Sequence, residues 1–231
     1  MANFSVSEIQ NRVSAVADQS SSAPTEGGDD WNLRLKYVNM AQHEVAELYD
    51  WDFLFKEYST LTSTNSANCS VALPNDYRKL ATYPRITYDG ANSSEFSEVR
   101  PQERGNKLNT DKYIYILGNP KNGYTMVVNP GTTTSYLASG ASIIVPYYAS
   151  VQSLVSPADI SMVPDPNYLV SRTISYLWEA REDARFPQAK AEAEKILARM
   201  LEREITHSEA SASSRIKTYE ELRHGFRIGR D

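Results

Sequence analysis

Residues 146–205 read PYYASVQSLVSPADISMVPDPNYLVSRTISYLWEAREDARFPQAKAEAEKILARMLEREI, and this passage decides the fold. Pro146, Tyr147 and Tyr148 close an apolar strand, a Pro/Ser/Asp loop follows, and the rest carries helical spacing. Val170, Ile174, Leu177 and Trp178 recur at i, i+4, i+7 and i+8, the spacing of one helix face. Ala189, Ala193, Ile196, Leu197 and Met200 repeat it, with Lys190, Glu192, Glu194, Lys195 and Arg199 on the opposite side. Pro187 stands between the two halves. Inside a continuous helix it would cost roughly 3 kcal/mol, because it removes a donor and clashes one turn back; in a first turn it costs little. The polar run Glu182-Asp183-Ala184-Arg185 also suits a break. The pattern therefore predicts two antiparallel helices, about 165–183 and 187–205, rather than one kinked rod.

The chain has 231 residues, 41% hydrophobic and 23% charged, with a net charge of -5. That length supports a real core, and the balance argues against a surface built wholly to wrap nucleic acid. No apolar run approaches the roughly 20 residues that span a bilayer, and no basic region followed by an apolar core marks a signal peptide. The single cysteine, Cys69, rules out an intrachain disulfide and leads us to expect an intracellular setting. Asn68-Cys69-Ser70 and Asn92-Ser93-Ser94 match the glycosylation pattern, but without a secretory signal both read as chance. Tyrosine, with 15 residues, is the outlier; its abundance suits strands and, outside them, interfaces.

Upstream, Ser5 and Glu8 form a capping box opening a helix over 5–18 with Val6, Ile9, Val13 and Val16 on one face. A Ser/Pro/Gly linker covers 20–28. Asp29 or Asp30 then caps a helix reaching about residue 52, its apolar side Trp31, Leu35, Val38, Val45, Leu48 and Tyr49. Residues 55–150 read as β-rich. Segments 57–63 and 68–73 are expected to pair through a Ser/Thr/Asn turn, with Pro74-Asn75-Asp76 ending the second. Residues 85–88 end at the hairpin signal Asp89-Gly90, with 95–99 as the returning partner. Residues 112–117 and 124–128 flank Gly118-Asn119-Pro120-Lys121-Asn122-Gly123, the clearest hairpin. Residues 142–148 form the last strand. The expected fold is α+β: a small helical bundle with an inserted antiparallel β-rich region and an extended C-terminal tail. The expected domains are 1–54 (N-terminal helices), 55–150 (β-rich insert), 151–205 (loop and helical hairpin) and 206–231 (tail).

That tail opens on a Ser/Ala hinge, 206–214. It continues with Arg215, Ile216, Lys217, Tyr219, Leu222, Arg223, Phe226, Arg227, Ile228 and Arg230, five basic residues interleaved with apolar ones. A solvated tail has no need of the apolar members, so we read the segment as docking on a partner, folding as it does so; packing back on its own domain is the alternative.

Motifs for chemistry are sparse. His43-Glu44-Val45-Ala46-Glu47 resembles half of a zinc-protease helix, but that site needs a second histidine where Glu47 stands. His207 and His224 have no ligand-spaced partner. Cys69 lies in an expected strand with no nucleophile motif around it, the setting of a small buried hydrophobe. No dinucleotide fingerprint, Walker loop or nucleophile elbow occurs. No enzyme activity, catalytic residue, metal or cofactor is expected; a hydrolase acting through a carboxylate pair would require a pocket with two close carboxylates of raised pKa.

The order of three features resembles the head-to-tail adaptor (connector) proteins of tailed bacteriophages. Trp31-Asn32-Leu33-Arg34-Leu35-Lys36-Tyr37-Val38-Asn39 leads to the aromatic acidic cluster Ala46-Glu47-Leu48-Tyr49-Asp50-Trp51-Asp52-Phe53. Val71-Ala72-Leu73-Pro74-Asn75-Asp76-Tyr77-Arg78-Lys79-Leu80 looks like the leucine-proline-x-aspartate-tyrosine stretch of these proteins. Val145-Pro146-Tyr147-Tyr148, then Asp159, Val163-Pro164 and Tyr168, leads into the final helices. The resemblance covers most of 30–205. It implies a ring, usually of twelve copies, docked on the portal protein at the head–tail junction of the virion and made in the host cytoplasm. Such a ring extends the DNA channel without sequence specificity and carries the next tail component, a nozzle, stopper or tail tube. In these families helices build the ring body and a C-terminal segment commonly grips the portal, a role that residues 206–231 would fill. Another tail or decoration protein of the virion, binding through its β-rich region, is the alternative. No membrane partner is expected.

Overall fold

The computed structural model describes residues 4–61, 69–82, 84–88, 92–107, 112–129 and 142–211. The protein is α+β and divides into two units, residues 1–45 with 154–231, and residues 46–153.

In the first unit, helix α1 (Val6–Ala17) begins at the expected capping box. The Ser5 amide donates to Glu8 Oε2 at 2.7 Å and the Glu8 amide donates to Ser5 Oγ at 3.3 Å. Val6, Ile9, Val13 and Ala17 are buried, whereas Val16, expected on that face, is exposed, because Ala17 takes the inward position four residues after Val13. Helix α2 (Asp29–Leu48) starts one residue earlier than a cap at Asp29 would require. The Asn32 amide bonds the Gly28 carbonyl at 2.9 Å, so Asp29 and Asp30 lie in the first turn, where carboxylates oppose the positive helix end. Its buried row, within this unit, is Trp31, Arg34, Val38, Ala41, Gln42 and Val45. Two polar side chains therefore occupy positions that a purely apolar stripe would fill.

Helix α3 (Pro166–Ala180) is capped by Asp165, whose carboxylate accepts the Asn167 amide at 3.1 Å, with Pro166 in the first turn. Helix α4 (Phe186–Ser211) follows after five residues. Glu182 takes the left-handed region at φ 53°, the Asp183 amide bonds back to the Trp178 carbonyl, and Pro187 falls in α4's first turn. Val170, Ile174, Leu177 and Trp178 face Ala189, Ala193, Ile196, Leu197 and Met200, all buried, in the expected antiparallel pair. The helix does not stop at 205: the Ser/Ala stretch beginning at Thr206 is helical through Ser211, as alanine and the intervening Glu209 allow.

The second unit opens with the last residues of α2 and a 3₁₀ turn, Asp52–Leu54. The long helix ends at Leu48, four residues before the expected stop, and Leu48 is exposed. Among the described residues nine strands follow: β1 (Phe55–Leu61), β2 (Cys69–Ala72), β3 (Tyr77–Leu80), β4 (Arg85–Tyr88), β5 (Asn92–Glu95), β6 (Ser97–Glu98), β7 (Tyr113–Asn119), β8 (Gly123–Asn129) and β9 (Ser142–Ala149). One sheet runs β1-β9-β4-β5, with β3 also on β9; the other runs β2-β8-β7-β6. β9 organises the first. One edge pairs β1 along its whole length, Phe55 opposite Tyr148 to Leu61 opposite Ser142, and the other edge is shared between β3 and β4. Pro146 lacks an N–H, but its carbonyl accepts the Ala81 amide at 3.0 Å between those two partners.

Two expectations about pairing fail. β1 and β2 do not pair; they belong to different sheets, on β9 and β8. β5, not a strand over 95–99, returns on β4, and β6 pairs β7 in parallel, so the region is not wholly antiparallel. The β7–β8 hairpin forms as expected, with Asn119 Oδ1 accepting the Lys121 and Asn122 amides, both at 3.0 Å. Both sheets contribute to one core: Val71 on β2 and Leu73 just after it, Ile114, Met126 and Val128 on β7 and β8, and Ile143, Val145, Tyr147 and Ala149 on β9, with Tyr77 and Phe96.

Candidate functional site

Some of the residues that carry the resemblance meet in the second unit. Asp76, from the turn before β3, accepts the Tyr147 hydroxyl at 2.9 Å and Lys56 Nζ from β1 at 2.6 Å. Its carbonyl accepts the Ser150 amide at 2.6 Å. Tyr77 stacks on Tyr147 with centroids 5.9 Å apart and meets Tyr124 edge-on at 5.2 Å. The aromatic acidic cluster joins through Asp50, which pairs with Arg78 at 3.0 Å and Lys79 at 2.6 Å, while Arg78 also donates to the Ala46 carbonyl. Trp51 is fully buried between Tyr49 and Phe53, at 5.5 and 5.7 Å. Three segments, 46–53, 74–80 and 146–148, thus form one polar-aromatic knot.

Burial alone would raise the Asp76 pKa, but the bonds from Lys56 and Tyr147 outweigh it and hold the carboxyl below its ordinary value. The Tyr147 phenol is pushed up to about 12, by burial first and then by the Asp76 acceptor. Such a pair locks geometry; neither member is poised to exchange a proton near neutrality.

The remaining resemblance residues lie in the first unit. Asp159 accepts the Val155 and Ser156 amides at 2.7 and 2.8 Å, and its carbonyl takes the Val6 amide at 2.9 Å. Val163 and Tyr168 are buried, the latter's phenol raised chiefly by burial. Two ionic groups here had no sequence signal. Arg172 grips Glu44 bidentately at 2.9 and 2.7 Å, Tyr176 donates to the same carboxylate at 2.6 Å, and Tyr37 packs on Tyr176 at 5.6 Å. Arg34, buried, donates to Ser14 Oγ at 2.6 Å and to Asp18, which Arg181 also reaches at 2.9 Å. Partners so distant in sequence become legible only through the packing of α1, α2 and α3.

The expected docking residues Arg215, Ile216, Lys217, Tyr219, Leu222, Arg223, Phe226, Arg227, Ile228 and Arg230 lie outside the described residues, as does His224. Cys69 begins β2, opposite Val128, and His207 falls within α4. Among the described residues no group of three or more His, Cys, Asp or Glu could hold a metal ion, and no helix is long and apolar enough to cross a membrane. Every described carboxylate with a resolved shift — Glu8, Asp18, Asp76, Asp159 and Asp183 — is lowered, none raised. In comparisons with known proteins, no family model matches the chain and no curated protein matches it.

Proposed function

We propose that the protein is a structural component of a tailed-phage virion: a head-to-tail adaptor whose copies form a ring on the portal, extend the DNA channel and present a platform for the tail. The observation that carries this reading is the knot formed by 46–53, 74–80 and 146–148. These are parts of the three short motifs, 31–39 with 46–53, 71–80, and 145–148 with Asp159, Val163-Pro164 and Tyr168, whose order and spacing carry the resemblance. In the fold parts of them touch, Asp76 on Tyr147 and Asp50 on Arg78, and that shared contact is what supports the reading.

In this reading the first unit is the helical bundle of the ring body, and the tail beyond Ser211 ties the ring to the portal. The subunit contact is heterologous and closing, with about twelve copies as the resemblance implies and cyclic symmetry permits. DNA passes without sequence-specific contacts, and the net charge of -5 suits a lumen that does not grip phosphates. Deleting residues 212–231 tests the tail's part. The truncated protein should keep the helix and strand content of the full chain and lose binding to portal rings in co-sedimentation. Full portal binding by the truncated protein would refute the assignment.

A further inference from the structure

The end of the first unit at which α1 and α3 begin is exposed, apolar and acidic. Val155 is 75% and Ile160 58% exposed, the two most exposed large apolar residues among those described. They stand on a loop with little freedom to hide them. The Asp159 carboxylate holds the Val155 and Ser156 amides, Asn39 clamps Leu154 through both N–H and C=O at 2.8 and 2.9 Å, and Ile160 bridges to Ser5. The Val6 and Ser7 amides of α1 bond the Asp159 and Pro157 carbonyls. A preorganised apolar surface loses little entropy when it is covered. The carboxylates of Glu8, in the first turn of α1, of Asp159, next to Ile160 in the chain, and of Asp165, the cap of α3, belong to the same end of the unit.

The direction of the helices brings the end of α4 to the same end. The C-cap residues of α1 and α3, Asp18 and Arg181, pair at 2.9 Å, so the two helices run in the same direction. α4 returns antiparallel after five residues, so it finishes where α1 and α3 start. With 26 residues against 15 it outruns α3 by roughly 16 Å, and among its described side chains, through Ile205, the last buried one is Met200. Residues 212–231 begin there, five basic against three acidic, with Ile216, Tyr219, Leu222, Phe226 and Ile228 among them. Extended, they reach roughly 65 Å, several times the distance needed to return along the overhang of α4.

We propose that in the free protein the C-terminal tail docks back on its own helical unit, its apolar residues covering Val155 and Ile160 and its arginines facing Glu8, Asp159 and Asp165. The surface and the tail match in both hydrophobicity and charge, and the chain leaves α4 toward the tail at that end of the unit. Docking parks the tail until a partner competes for it, so the same segment is withheld in the free chain and released on assembly. Only the identity of that competitor rests on the adaptor reading.

Hydrogen exchange of the full chain, read by mass spectrometry at low micromolar concentration, tests the parked state. Amides between residues 216 and 228 should exchange at least about tenfold more slowly than unstructured ones. The double variant Val155→Asp/Ile160→Asp should remove that protection while α3 and α4 exchange as before, and raised salt should weaken it. Free exchange of the tail in the wild-type chain would overturn the proposal. So would protection that survives the double substitution, which places the tail elsewhere, or protection that grows with protein concentration, which makes the occupant a second copy's tail. Failure to find a ring would sink the adaptor reading and leave this result standing.

Discussion

Replacing Asp76 with alanine tests how the knot in the second unit is held. Its carboxylate serves two donors of unequal exposure. The Tyr147 hydroxyl belongs to a buried ring, 4% exposed, and loses its acceptor; an orphaned buried donor costs about 1–3 kcal/mol. Lys56 is 42% exposed at its side chain and recovers water, so its pair contributes about 0–1 kcal/mol. The expected loss is therefore about 1–4 kcal/mol. Tyr147→Phe removes the hydroxyl and should cost about 1 kcal/mol. Once that hydroxyl is gone, Asp76→Ala orphans nothing and costs only the Lys56 pair, so the double variant should be at least as stable as Asp76→Ala alone. Urea unfolding followed by exchange of the β9 amides reads the unit that contains the pair. Additive losses in the double variant would show that Asp76 and Tyr147 do not act on one another. The pH dependence carries a sign as well. Asp76 is lowered in the folded protein, so its contribution is full above the ordinary aspartate range and fades as pH falls through the lower folded value.

Three further outcomes follow from named contacts. Asp18→Ala strands the buried guanidinium of Arg34 and should destabilise the first unit by about 3 kcal/mol; adding Arg34→Met should recover part of that loss in thermal unfolding, and no recovery would exclude an uncompensated charge as the cause. Gly118 has φ 116°, and a Cβ there would sit 2.1 Å from the Gly123 carbonyl oxygen, so Gly118→Ala should cost more than about 1 kcal/mol. Gly123, at φ 80° with open space around it, should accept asparagine with a smaller loss, and equal losses at the two positions in urea titrations would contradict the geometry.

What was legible in the sequence was local. The capping box at Ser5 and Glu8, the helix break before Pro187 and the β7–β8 hairpin each depend on residues within a few positions of one another. What was hidden was long-range. β1 finds its partner in β9, more than 80 residues on, and nothing in segment 57–63 distinguishes that partner from the nearer segment 68–73. Strand β3 follows a Pro-Asn-Asp turn that read as an end and proved to be a corner. On α2 the buried row includes Arg34 and Gln42, because Ser14, Asp18 and Ser161 wait opposite them. No periodicity reveals a partner on another helix. The motif residues Asp50, Asp76, Tyr77 and Tyr147 could be singled out in advance, but their mutual bonds could not. The ion pairs of Glu44 and Asp18 had no signal at all.

The adaptor reading stands or falls on symmetry. Class-averaged negative-stain images of the full-length protein bound to portal should show a ring of about twelve subunits stacked coaxially on the portal ring. A monomer, a trimer or a sixfold assembly away from the portal would contradict it.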